Sequence, residues 1–152
     1  MKTFKFYENS FDGYTDIKFS AEEYSKFKHG SKSVARKFGK QLALSFQNNM
    51  SDEIKEILSK SEIVLSSAPY KYIPVASTAL KDYFLSEFML WCARELNKTP
   101  DDLKIFRGHS YNEDYGSMAN DQREKAINSD SFRIDSEFIK NKTLILIDDI
   151  RI

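Results

Sequence analysis

Thr143-Leu144-Ile145-Leu146-Ile147 is a β-branched and apolar run that passes without a spacer into two carboxylates, Asp148 and Asp149. A stretch that is apolar at both odd and even positions has no face to give to water. It therefore predicts a strand covered on both sides, the environment of a parallel sheet. A second run of this kind, Glu62-Ile63-Val64-Leu65-Ser66-Ser67-Ala68, is closed by Pro69 and predicts a partner strand. Between them, Ser77 to about Asn97 carries Leu80, Phe84, Leu85, Phe88, Met89, Trp91, Cys92 and Leu96 on more than one helical stripe, which predicts a heavily buried helix. Pro100, Asp101 and Asp102 turn the chain into a further strand, Leu103-Lys104-Ile105-Phe106-Arg107. A polar excursion from Gly108 to Ser117 follows, then a short helix over Met118 to Asn128, a short strand at Phe132 to Ile134 and a helical turn at Asp135 to Lys140. Strand, helix, strand, excursion and strand are the order of an α/β domain, a mostly parallel sheet with flanking helices.

Ahead of this core the pattern is helical. Lys2 to Tyr14 alternates aromatic and polar residues and reads as a short strand or an extended arm. Ser20 followed by Glu23 is a capping box, so Ala21 to Lys28 should be helical, with Gly30 ending it. From Ser31 to Phe46 the residues Val34, Phe38, Leu42 and Phe46 recur every four positions, and a separate short helix is expected after Ser51 with Ile54, Ile57 and Leu58 turned inward. With 152 residues the chain has the length of one domain. Within it, residues 1–60 read as an arm and helices packed on a core at 61–152.

Lys plus Arg and Asp plus Glu both number 23, so no broad positive field exists and nucleic acid is a disfavoured partner. An RNA-binding face built on Lys26, Lys28, Lys32, Arg36, Lys37 and Lys40 is the weaker reading of residues that otherwise form a solvated helix face. No uncharged run approaches the roughly 20 residues a membrane helix needs, and Met1 to Ser10 lacks a signal peptide's apolar centre, so no membrane is expected and the cytoplasm is the expected compartment. Cys92, the single cysteine, is expected to pack as a small apolar side chain. His29 and His109 are far apart and have no cysteine beside them, so no protein-built metal site is expected. Neither a Gly-x-x-x-x-Gly-Lys loop nor a Gly-x-Gly-x-x-Gly loop occurs, which disfavours nucleoside triphosphatases and dinucleotide enzymes.

Ligands of open α/β sheets bind at the carboxyl ends of the strands. Three segments fall there: the loop from Pro69 to Ala76, the excursion from Arg107 to Asn128, and Asp148-Asp149 at the tip of a central strand. Two carboxylates at a sheet rim need hydroxyls, amides or cations, because burial without partners costs several kcal/mol. Leu144-Ile145-Leu146-Ile147-Asp148-Asp149-Ile150 resembles the phosphoribosyl diphosphate signature of the type I phosphoribosyltransferases, and Ser66-Ser67-Ala68-Pro69-Tyr70-Lys71 takes the place of that family's pyrophosphate loop. Asp121-Gln122-Arg123 through Asn128 to Phe132 resembles the bacterial competence-type, amidophosphoribosyltransferase-like branch. The resemblance covers roughly Glu62 onward.

The resemblance implies transfer of a 5-phosphoribosyl group from phosphoribosyl diphosphate to a nitrogenous acceptor, with Mg2+ carried by the donor's pyrophosphate. By position, Asp148 and Asp149 would accept hydrogen bonds from the ribose hydroxyls. Pro69, Tyr70 and Lys71 would face the pyrophosphate, and Arg107 and Arg123 would be closing cations. Lys71 as a solvated loop lysine, and Arg107 paired with Glu113 or Asp114, are the structural alternatives. The family places a Thr-Gly phosphate loop after the acidic signature, and Ile150-Arg151-Ile152 comes before it. The C-terminal part of the fold is therefore expected to be missing, the 152 residues being the front of a longer protein or a truncated product that is inactive alone. A non-catalytic nucleotide-sensing or protein-interaction module on the same scaffold is the competing function. The acceptor and the oligomeric state, a homodimer included, stay open.

Overall fold

The computed structural model describes residues 20–70, 76–108 and 132–149. The expectations placed on the Lys2 to Tyr14 arm and the Met118 to Asn128 helix lie outside these residues, as do Lys71, His109, Glu113, Asp114 and Arg123. The elements run α1 (Ala21–Lys28), α2 (Lys32–Lys60), β1 (Ile63–Ser67), α3 (Ala76–Leu96), β2 (Asp101–Asp102), β3 (Phe106–Arg107), β4 (Phe132–Arg133) and β5 (Thr143–Ile147). Among the described residues β2, β1 and β5 form a parallel sheet in that order, and β3 pairs antiparallel with β4. This is the expected α/β architecture with an N-terminal helical segment.

The capping box at the start of α1 is present in both directions: Glu23 N donates to Ser20 Oγ at 3.1 Å, and Ser20 N donates to Glu23 Oε2. Gly30, at φ +87°, makes the left-handed turn out of α1. The boundary expected between Phe46 and Ser51 does not exist, because α2 continues to Lys60. Neither Gly nor Pro interrupts it there. Asn49 Nδ2 donates back to the Ser45 carbonyl at 2.7 Å, and Ile54 and Leu58 carry the buried face onward. Packing outweighs the modest propensity cost of Asn48, Asn49 and Ser51.

The buried stripe of α2 also differs from the expected one. Ala35, Gly39, Ala43 and Gln47 join Phe38 in the interior, while Val34, Leu42 and Phe46 sit half-buried around it. The small residues let α3 come close: a Cβ added at Gly39 would lie 2.6 Å from Tyr83 Cβ and 2.8 Å from the Leu80 carbonyl oxygen. Phe27, Phe38, Phe84 and Phe88 fill the space beside this contact, with Phe84 and Phe88 centroids 5.5 Å apart. Cys92 is fully buried among them, and burial pushes its thiol up to about 12.

All five residues of β1 are buried, as a strand covered on both faces requires. β1 is the central strand of the described sheet. β5 lies at its edge rather than in the middle, and Leu146 is 55% exposed on its outer face. The strand expected at Leu103 to Arg107 is divided. Asp101–Asp102 joins β1, the Leu103 N–H adds one more bond to the Leu65 carbonyl at 2.9 Å, and the chain then leaves, so that Phe106–Arg107 pairs with β4. The aspartates expected to turn the chain stay in the sheet because lysines hold them: Lys142 on Asp101 at 2.8 Å and Lys81 on Asp102 at 2.7 Å.

Gly39→Ala tests the close approach of α2 and α3. Alanine should gain about 1 kcal/mol of helix propensity and lose about 1–3 kcal/mol to overpacking against backbone that cannot rotate away. A net loss is expected, read as a lower urea midpoint with an unchanged slope.

Candidate functional site

The parallel register of β1 and β5 runs from Ile63 opposite Thr143 to Ser67 opposite Ile147. Both strands therefore end at the same edge, and Ala68 N still donates to the Ile147 carbonyl at 3.1 Å beyond the last pair. Pro69 and Tyr70 follow on one side of this bond, Asp148 and Asp149 on the other. Tyr70 forms a bridge with Phe106, and Arg107 N donates to the Tyr70 carbonyl at 3.3 Å, which draws β3 and Arg107 to the same edge. Of the residues singled out in the sequence, Pro69, Tyr70, Arg107, Asp148 and Asp149 thus gather at one end of the sheet.

The two aspartates differ in their surroundings. Asp149 is 10% exposed at its side chain, and its Oδ2 accepts from Lys28 Nζ at 2.6 Å and from the Tyr24 hydroxyl at 3.4 Å. Burial, and then the negative charge of Asp149, push the Tyr24 phenol up, so it remains a donor. Asp148 has no ammonium partner among the described residues, and its Oδ1 accepts from the Asp149 N–H at 2.8 Å. The residue stays open to solvent at its outer edge, yet protein packed around the carboxyl strips water from it and raises it to about 6. The Asp149 N–H and the more distant Lys28 oppose that rise, while the Asp149 carboxyl adds to it.

Tyr24 and Lys28 were not legible as site residues. They lie four apart on one face of α1, but nothing local in sequence joins that helix to a residue 121 positions away. In the sequence Lys28 reads as part of a solvated basic face, and that face is largely neutralised: Lys26 pairs with Glu22, Lys37 with Glu23, and Lys40 with Glu87.

Beside Tyr70 a cleft of about 410 Å3 is lined by Ser67, Thr78, Lys81, Asp102 and Lys104. Ser67 Oγ and Thr78 Oγ1 are 3.1 Å apart, tying the end of β1 to the first turn of α3. Lys81 is buried between Asp82 and Asp102, and Lys104 lies 4.2 Å from the Tyr70 ring centroid and 4.3 Å from that of Phe106. Among the described residues no cluster of His, Cys, Asp and Glu could hold a metal ion, and no helix is long and apolar enough to cross a membrane.

A parallel α/β sheet with paired carboxylates and a Pro-containing loop at one carboxyl edge defines the class of fold. Comparison with family models then assigns the chain: residues 2–152 match the PRTase ComF-like family, and the protein belongs to it. The match takes in α1 and α2 and is wider than the stretch from Glu62 onward that carried the resemblance. Comparison with curated proteins and with solved structures gave no match.

The raised Asp148 carboxyl has a consequence for stability. The folded chain takes up this proton more readily than the unfolded chain, whose ordinary value is near 3.8, so stability should fall as pH rises from about 4 to about 6. Asp148→Asn should remove that slope. In thermal melts the variant should gain on the parent protein across this window and hold a constant lead above it, whereas a lead that shrinks with pH would mean the fold stabilises the carboxylate.

Proposed function

We propose that this phosphoribosyltransferase-type domain binds phosphoribosyl diphosphate, with magnesium brought in on the pyrophosphate, and transfers the phosphoribosyl group to a nitrogenous acceptor. The observation that carries the reading is the register of β1 and β5, which sets Pro69 and Tyr70 next to Asp148 and Asp149. A donor lying across this edge offers ribose hydroxyls to the carboxylates and pyrophosphate to the loop.

The chemistry suits the residues. As the pyrophosphate departs, positive charge develops on the sugar and negative charge grows on the leaving group. Asp148 and Asp149 hold the hydroxyls through charge-assisted bonds, which are stronger than neutral ones, and their negative charge faces the developing cation. The amides around Pro69 and Tyr70 face the leaving group. By the family resemblance Lys71 faces it as well, and Arg107 and Arg123 are the closing cations. Asp149 has one oxygen engaged by α1, so its Oδ1 is the oxygen available to a hydroxyl donor.

Titration calorimetry of the full-length protein with phosphoribosyl diphosphate and magnesium should show saturable heat, and the double variant Asp148→Asn, Asp149→Asn should abolish it. Thermal stability should change little: losing the half-exposed Lys28 pair costs about 1 kcal/mol or less, and relief of the desolvated Asp148 works in the opposite direction. A collapse of stability would make the pair structural. Pyrophosphate release with a nitrogenous base separates transfer from sensing, since a sensor binds the donor and releases nothing.

A further inference from the structure

The helix α1 precedes the sheet by a long stretch of chain, yet two of its side chains end on a single carboxylate oxygen of the acidic pair. Lys28 Nζ and the Tyr24 hydroxyl both donate to Asp149 Oδ2, and among the described residues no lysine, arginine, hydroxyl or amide is bonded to Oδ1. The helix itself is fixed. Its first turn is closed by the Ser20 and Glu23 capping box, Phe27 is buried against Phe38 with centroids 5.5 Å apart, and Gly30 turns the chain into α2. Lys28 is 45% exposed at its side chain whereas Asp149 is 10% exposed, so the lysine reaches inward from the surface to a largely enclosed carboxylate.

We propose that Tyr24 and Lys28 are positioning residues of the site: they anchor Oδ2 of Asp149 to α1 and so leave Oδ1 turned toward a bound hydroxyl. This rests on the reading that Asp149 receives a ribose hydroxyl. A carboxylate whose rotation is already stopped loses less freedom when a ligand arrives, and preorganisation of this kind raises affinity without a new ligand contact. It also makes the N-terminal helical segment a working part of the site rather than a cap beside it.

The test uses the full-length protein, with phosphoribosyl diphosphate and saturating magnesium as the probe. Lys28→Met should weaken donor binding about tenfold and Tyr24→Phe by less, with little change in melting temperature, and Lys28→Arg should restore most of the affinity. Donor binding by Lys28→Met equal to or tighter than the parent protein's, with its fold intact, overturns the proposal; tighter binding would make Lys28 a competitor of the ligand. Should Lys28→Met fail to fold, Tyr24→Phe, which removes only a hydroxyl, carries the same comparison. A second measurement needs no ligand: the groups facing Asp148 are Asp149, Lys28 and Tyr24, so Lys28→Met should move the Asp148 titration upward in carboxyl-detected NMR. If the parent protein fails to bind the donor, the proposed function is lost on its own account. The anchoring of the pair by α1 is then judged by that titration, and an unmoved Asp148 overturns it.

Discussion

The parallel ladder between β1 and β5 is the constraint on which the rest of the molecule depends. Its register carries two segments far apart in the chain to the same edge and stops them one bond apart, with Ala68 bonded to Ile147. A slip of one residue would turn every side chain of β5 to the opposite face. Ile145, packed on the core, would trade places with Leu146, which stands exposed, and Asp148 and Asp149 would exchange their surroundings. The two faces of β5 oppose such a slip, because Ile145 and Ile147 lie on the core side while Leu146 stands exposed. That packing depends in turn on helices α2 and α3, which the Ala35, Gly39 and Ala43 row lets approach until backbone nearly touches side chain.

A formal charge of zero conceals a strict local order. Carboxylates at the ends of the strands are met by lysines from elsewhere: Glu62 and Asp101 by Lys142, Asp102 by Lys81, and Asp149 by Lys28. Partly exposed pairs contribute little to stability, about 0–1 kcal/mol each, so their main effect is to fix where side chains stand. Asp148 is the exception. Among the described residues no ammonium is paired with it, its Oδ1 accepts from the Asp149 amide, and loss of water around the carboxyl raises it toward 6.

Much of this was legible in the residues, for reasons that differ by element. The apolar runs at Ile63 and Leu144 read as strands, and Ser20 with Glu23 as a helix start, because each pattern is local; only β1 is buried throughout, since β5 lies at the edge of the described sheet with Leu146 exposed. The paired aspartates after Ile147 pointed to a sheet rim for the same reason. What was not legible depended on contacts across the chain. Continuity of α2 past Asn48 and Asn49 is decided by packing on α3, and Asp101 and Asp102 read as turn formers until Lys81 and Lys142 are seen to hold them in a strand. Lys28 is the clearest case: on its own helix it is one more surface lysine, and only the tertiary fold gives it Asp149.

The family match begins at residue 2, so the helical segment belongs to the same family unit as the sheet. The structure gives that span a physical meaning. Two adjacent carboxylates at a sheet edge repel, and one cation placed on the more enclosed of them, Asp149, relieves part of that repulsion, while the more exposed Asp148 has no ammonium partner among the described residues. Because Lys28 comes from α1, the balance between the two carboxylates is set by how firmly that helix is seated, which the burial of Phe27 and the left-handed turn at Gly30 decide. Asp149 is thus held by a helix as well as by its strand, and Asp148 is without an ammonium partner among the described residues. The helix and the sheet therefore set the state of this edge together.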